Sequence, residues 1–558
     1  MIRQRLSSQP AIWLLALGVP LVLLGVTALR HFDGLYGQDA FAYYDYATGP
    51  VRQSLPSLRL PPPFFWPPGY PLLVALVSFV VGISPRAGQF VSLGAGLLAP
   101  LFTALLAREV WSETDDGWGL PVLAGALAAL VGQLWQSSVV VMADTAGLAA
   151  ATAGVWALAR YGRRAGGAVA GAAGGAVAGA AGGAVAGAAG GAVAGAAGGG
   201  WLVLAAALMA YAVLTRWAYA LVAIVCVAYV LWLLVRRPFR VKWRHVVLAA
   251  AVASLVLAPV WLPALQRAML RPSPPAAPAT APPAASQQPA FAGDLSVYSW
   301  HPLNAFRRQF VTADGLLSYR MANGLWYALA PAHRYYFTPL LAWFLLPGCW
   351  AVLHRRASAP IILLLGWAAA ILVFHAGAPW QNFRFNLAHL PPLAILVAIG
   401  VQTVAGWLRR VFPVGTPHRA ASGLLVLVVV AGMAWMAAGG WALTHSFIAR
   451  KTADLATVAW VEHQTRPAAR LLTFNLTSTF RHYGHLDTYE LYGLEPPELA
   501  ALVGDGEAVY LLIDVAEVEG QWQGRSPSLN YHWLREQAGL DEIGVVRSYT
   551  LFRVSGQP

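Results

Sequence analysis

Asp39 lies in the run Tyr36-Gly37-Gln38-Asp39-Ala40-Phe41-Ala42-Tyr43-Tyr44, at the head of an aromatic- and proline-rich stretch that closes at Trp66-Pro67-Pro68-Gly69-Tyr70-Pro71. A carboxylate so placed can take a proton from an attacking hydroxyl, the more readily if burial raises its pKa. It can equally cap a helix start by accepting backbone N–H groups, and spacing alone leaves both readings open. Asp144, in Val141-Met142-Ala143-Asp144-Thr145-Ala146, opens an apolar segment. An acid this close to hydrocarbon costs up to about 2.5–3.5 kcal/mol unless it is paired or wetted, which marks it as a functional candidate, with an N-cap as the alternative. Arg216 (Leu214-Thr215-Arg216-Trp217) and Arg384 (Asn382-Phe383-Arg384-Phe385) flank apolar segments. A guanidinium fork grips phosphate bidentately, although an interfacial arginine can also merely snorkel.

Tyr43 and Tyr70 belong to the aromatic roof around Asp39 and are candidate substrate contacts. Asp33 and Asp45 read as solvated loop charges, and Arg307 and Arg308 carry less specific signal. His482 and His485, spaced i, i+3, could share a metal, but no acidic or thiol partner stands near them and they read as surface histidines. No second carboxylate stands at Asp-x-Asp spacing beside Asp144, so no divalent-metal site is expected; such cations want several oxygen ligands.

The elements that must position these groups are apolar helices. Of 558 residues 58% are hydrophobic and only 11% are charged, with mean hydropathy +0.57. This is the composition of a polytopic membrane protein rather than a soluble enzyme. Spans are expected at about 11–29, 89–107, 120–137, 139–160, 193–213, 217–235, 245–263, 337–353, 359–376, 387–407 and 422–444. The first of them lacks a small-residue cleavage site and reads as a retained span. The apolar segment 71–83 is too short to cross and reads as interfacial or re-entrant.

With the N-terminus cytoplasmic, the clusters Arg160/Arg163/Arg164, Arg236/Arg237/Arg240/Lys242/Arg244, Arg355/Arg356 and Arg409/Arg410 all fall inside. The net charge of +13 is then explained by basic loops facing anionic lipid rather than by nucleic-acid binding. Parity next gathers Asp39, Asp144, Arg216, Arg384, the outer loops 30–88 and 263–336, and the tail from 446 onto the opposite, non-cytoplasmic face. Cys226 and Cys349 sit in apolar segments and read as core residues, with no disulfide framework.

Residues 166–197 are four copies of Gly-Gly-Ala-Val-Ala-Gly-Ala-Ala. One valine per octamer cannot build a core, so this cytoplasmic connection reads as a tolerated low-complexity insertion, its last copy leading into the fifth span. The Pro/Ala-rich run 271–289 reads as a flexible part of an outer loop. From Lys451 charges return and the pattern alternates: helices at 455–464, 477–483 and 531–538, strands at 470–474, 508–514 and 545–554. That describes a small α/β domain, 446–558, beyond a transmembrane domain, 1–445.

Over most of 1–445 the chain resembles the GT-C superfamily of integral-membrane glycosyltransferases, in particular the branch of the protein mannosyltransferases and lipid A aminoarabinose transferases. The likeness rests on Asp39 after the first span, Pro67-Pro68-Gly69-Tyr70-Pro71 leading into a short apolar helix, Asp144, the Leu214-Thr215-Arg216 turn, and Arg384 followed by Pro391-Pro392. It implies a polyprenyl-phosphate-linked sugar as donor, used without a further cofactor on the outer face of a plasma membrane. It also implies Asp39 as general base, Asp144 as organiser of donor or acceptor, and Arg216 and Arg384 on the lipid phosphate. The chain departs from the family in its octamer insertion and in carrying Arg216 at a lysine-like position. The paired acidic motif of the metal-dependent oligosaccharyltransferases is missing. A lipid-linked-saccharide transporter or a silent scaffold are the rivals. Transporters favour internal repeats and charges near mid-bilayer, whereas here the charges gather at one face.

Overall fold

The computed structural model describes residues 9–111, 119–178, 186–236, 242–270, 300–312, 314–354, 359–413, 415–504 and 507–556. The run 271–289 lies outside them. The flanks of the octamer array continue the helices Ala143–Ala178 and Ala186–Thr215, while its centre, 179–185, lies outside the described residues.

The chain is a multi-pass membrane protein. Four described helices are long and apolar enough to cross a bilayer, or six if two bent pairs each count as one span. Five further apolar helices have 10–17 residues. The bent pairs revise the expected spans. The stretch 120–137 is two helices, Gly119–Ala129 and Gly132–Val139, meeting at 57° across the extended Val131. The stretch 245–263 breaks by 69° between Trp243–Val256 and the helix that begins at Ala258. Pro259 explains the second break, since its ring and missing N–H oppose a helix continuing through the preceding turn. The stretch 337–353 likewise divides into Thr338–Ala342 and Leu345–His354. Gly69–Val81 is a helix of 13 residues, roughly 20 Å long, short of the ~30 Å of hydrocarbon.

Helix Pro85–Val110 is the spine beneath the candidate residues. Its buried Gln89 donates to the carbonyls of Phe32 and Val139 at 3.2 and 3.1 Å, tying the segment before Asp39 to the segment before Asp144. One turn on, the Ser92 carbonyl accepts from Thr145 at 3.1 Å. Gly34, at φ +93°, leaves its carbonyl accepting from the Val141 amide at 2.9 Å; a Cβ there would press on Val141 at 3.1 Å.

Helix Thr416–Gln464 runs 49 residues, about 74 Å, out of the apolar bundle and into the tail. Beyond it stands a five-stranded sheet. A hairpin, β1 (Gln309–Thr312) and β2 (Gly315–Ser318), precedes it in the chain. The sheet strands are β3 (Arg470–Thr473), β4 (Asp487–Glu490), β5 (Val509–Ile513), β6 (Leu540–Val546) and β7 (Tyr549–Val554), in the order β4-β3-β5-β7-β6. The first three are parallel and β5-β7-β6 antiparallel. The fully buried β5 (Val-Tyr-Leu-Leu-Ile) is the central strand, as an unbroken apolar run should be. The stretch 545–554 is not one strand: it holds the end of β6, a turn at 547–548 with Arg547 at φ 59°, and the whole of β7.

Candidate functional site

Asp39 sits in the first turn of helix Gln38–Tyr46, whose N-cap is Gly37. Its carboxylate accepts from Arg384 Nη1 at 2.8 Å, and the cap reading gives way to an ion pair. Asp144 sits in the first turn of helix Ala143–Ala178, its side chain only 4% exposed. Arg384 Nε donates to Asp144 Oδ2 at 2.6 Å, and Arg216 is ion-paired to Asp144 Oδ1. The result is one row, Asp39–Arg384–Asp144–Arg216, in which charges alternate and sum to zero. Residues 345 and 240 positions apart meet in it.

Each arginine is placed by local chemistry. Arg216 ends helix Ala186–Thr215, its amide still bonded to the Ala212 carbonyl at 2.9 Å. Gly69 lets the Pro-Pro-Gly-Tyr-Pro run lie directly on that helix end: a Cβ there would stand 2.7 Å from the Leu214 carbonyl oxygen, and Tyr211 donates to the Gly69 carbonyl at 2.8 Å. The guanidinium of Arg216 lies 5.7 Å from the Phe385 ring centre. Burial, reinforced by the like charge of Arg384, lowers its pKa to about 10, so it stays a cation at neutral pH. Arg384 is set by Asn382, whose side chain caps the 3-10 turn Phe383–His389 by accepting from the Arg384 amide at 2.9 Å. Pro391 and Pro392 then occupy the first turn of helix Leu390–Val411, where a missing N–H costs nothing. Phe383 anchors the turn against His333 (4.3 Å) and Trp326 (4.8 Å).

Tyr43 lies one turn beyond Asp39 on the same helix and is buried. Burial raises its pKa, with Arg216 opposing, so the phenol stays neutral beside the row. Tyr70 requires a correction as a substrate contact. It is fully buried, with its hydroxyl bonded to Ser92 Oγ at 2.9 Å and to the Gly88 carbonyl at 3.0 Å. Its ring meets Tyr43 edge-on at 5.3 Å and serves as a wall behind it.

Asp33 is also corrected, from a solvated charge to the partner of Lys451 and Tyr483. Asp45 is exposed, on helix Gln38–Tyr46 rather than in a loop. His485 pairs with Glu462, and the exposed His482 rests on Phe41 and Tyr44. Among the described residues no group of three or more His, Cys, Asp or Glu is arranged to hold a metal. Sequence reasoning missed Gln89, Ser92, Asn382 and Lys451. A polar residue inside an apolar run, as Gln89 is, was the available signal.

No protein-family model and no curated protein sequence matches the chain. Solved structures do match. ArnT from Cupriavidus metallidurans in the apo state superposes with TM-score 0.56 at 14% identity, over 97% of this chain and 100% of that one. The same protein bound to undecaprenyl phosphate gives 0.54 at 13%, over 96% and 99%. The archaeal oligosaccharyltransferase AglB from Archaeoglobus fulgidus, in complex with an inhibitory peptide and a dolichol-phosphate, gives 0.51 at 13%, over 97% of this chain and 74% of that one. At such identities the likeness is one of fold.

Proposed function

We propose that this chain, which has the GT-C fold, is a membrane glycosyltransferase moving a sugar from a polyprenyl-phosphate donor to an acceptor hydroxyl, with inversion and without a metal. The observation that carries the reading is the Asp39–Arg384–Asp144–Arg216 row. Asp144, buried and bonded to both guanidiniums, holds them in place. Asp39, at the more exposed end of the row with its side chain 31% accessible, can let go.

A donor phosphate is a better bidentate partner for Arg384 than a single carboxylate oxygen. Its arrival displaces Asp39, which is then free to act. Asp39 takes the proton of the acceptor hydroxyl as that oxygen bonds to the anomeric carbon. The bond from that carbon to the phosphate oxygen breaks on the opposite face, and Arg216 and Arg384 stabilise the charge on the departing lipid phosphate. Back-side attack inverts the anomeric centre. A metal has little to hold on to, since guanidinium groups occupy both oxygens of Asp144. The undecaprenyl phosphate and dolichol-phosphate carried by the structural neighbours support a lipid phosphate as ligand.

In this reading the chain crosses a plasma membrane eleven times with its N-terminus cytoplasmic, and the site and the tail domain face outward. The acceptor is a lipid, a glycan or a protein. Equilibrium binding of a polyprenyl phosphate to the purified protein in nanodiscs tests the assignment of the arginines. A charge-assisted hydrogen bond contributes about 1.5–3 kcal/mol, so Arg384→Gln and Arg216→Gln should each weaken binding by roughly 10- to 150-fold. Unchanged affinity in both would remove the phosphate from this site.

A further inference from the structure

The helix that carries Asp39 has two working faces. Asp39 and Tyr43, spaced i, i+4, look toward the ion-paired row, whereas Phe41 and Tyr44, spaced i, i+3, look toward the tail domain. There His482 meets both rings edge-on at 5.7 Å, and Tyr483 meets Phe41 at 6.2 Å. Beside this contact lies a closed ring of hydrogen bonds. Lys451, 4% exposed and on the part of helix Thr416–Gln464 that leads into the tail, is ion-paired to Asp33 Oδ1 and donates to the Tyr483 hydroxyl at 2.5 Å. Tyr483 in turn donates to Asp33 Oδ2 at 2.5 Å. Asp33 Oδ1 also accepts from the Leu35 amide at 3.1 Å, two residues before the Gly37 cap.

A second contact reaches the other end of the same ion pair. Gln521 of the tail donates to the Asp314 carbonyl at 2.7 Å and accepts from the Leu316 amide at 2.9 Å. The Asp314 carboxylate accepts from Trp380 Nε1 at 2.9 Å, four residues before Arg384. The tail therefore holds both the stretch that delivers Asp39 and the stretch that leads to Arg384. A buried ammonium is costly unless it is paired, and the structure places one where three remote stretches of chain join.

We propose that Asp33, Lys451 and Tyr483 form a clasp through which the tail domain positions the Asp39 helix against the row. They are positioning residues: none belongs to the row itself. The inference rests on the transferase reading for its effect on turnover, but not for its effect on the helix.

The test uses the full chain in nanodiscs with Tyr483→Phe, Lys451→Met and the charge-removing pair Asp33→Asn/Lys451→Met. Hydrogen–deuterium exchange should quicken across residues 38–46 in all three, while strands β3 and β5 keep wild-type protection. Misplacing a reacting group by about 1 Å costs up to ~100-fold in rate, so kcat should fall by about 10- to 100-fold with unchanged affinity for polyprenyl phosphate. Wild-type exchange over 38–46 in all three variants overturns the clasp. So does wild-type kcat in folded variants, or exchange that rises through the whole tail sheet. If wild-type protein turns over no donor, the transferase reading fails, and the exchange experiment still decides the clasp.

Discussion

Removing the carboxylate of Asp144 should destabilise the protein far more than removing that of Asp39, although both pair with Arg384. The Asp144 side chain is 4% exposed and neutralises two guanidiniums at once. In Asp144→Asn the buried Arg216 faces a neutral amide in place of its ion-pair partner, while Arg384 keeps only Asp39. Breaking a buried pair from one side costs about 3–5 kcal/mol, because the surviving charge is left uncompensated. Asp39 is 31% exposed, and Arg384 keeps Asp144 when Asp39 becomes Asn. Solvent screening holds that loss to about 1 kcal/mol or less. Equilibrium unfolding in mixed micelles, followed by tryptophan fluorescence, measures both changes. The double variant Asp144→Asn/Arg216→Gln removes the stranded cation and should recover part of the loss. If Asp144→Asn comes within about 1 kcal/mol of wild type, the row is a surface feature and the structural argument fails.

Gly69→Ala should cost about 1–3 kcal/mol and weaken phosphate binding, because the new methyl meets the backbone carbonyl of Leu214 and must push the Arg216 turn away. Wild-type stability and affinity in that variant would contradict the close packing. In the tail, burial holds the Glu490 carboxyl above its ordinary pKa of 4.5, so the folded chain binds that proton more tightly than the unfolded chain. The stability this contributes is present below pH 4.5 and is lost as pH rises through the raised value. Thermal unfolding across that window should therefore show a shallower decline in Glu490→Gln than in wild type. Equal slopes would place Glu490 in solvent.

The four charged residues of the row were legible in the sequence because membrane topology is a counting argument. Apolar runs near twenty residues and basic loops set parity, and parity alone put Asp39, Asp144, Arg216 and Arg384 on one face. What counting does not supply is pairing. That Arg384 bridges both aspartates rests on pairings 345 and 240 positions apart, and the seat of Arg216 rests on Gly69 lying against Leu214, another contact between remote stretches. The helix breaks at Val131 and Leu257 were invisible to hydropathy, since the residues at each break are as apolar as the helices around them. Asp33 looked solvated because its partners, Lys451 and Tyr483, are more than four hundred positions away. In the tail, β4 escaped notice because Asp-Thr-Tyr-Glu carries no apolar alternation. The β6–β7 turn escaped because it uses Arg547 rather than glycine at positive φ.

Transfer from a radiolabelled polyprenyl-phosphate sugar by the purified protein in nanodiscs, wild type against Asp39→Asn, with and without EDTA, tests the central claim most directly. Wild type should release the lipid phosphate, undiminished by EDTA. Turnover by Asp39→Asn should fall by about 10²- to 10⁴-fold, the usual contribution of a general base, with donor binding retained. Turnover in Asp39→Asn equal to wild type, or turnover abolished by EDTA, would contradict it.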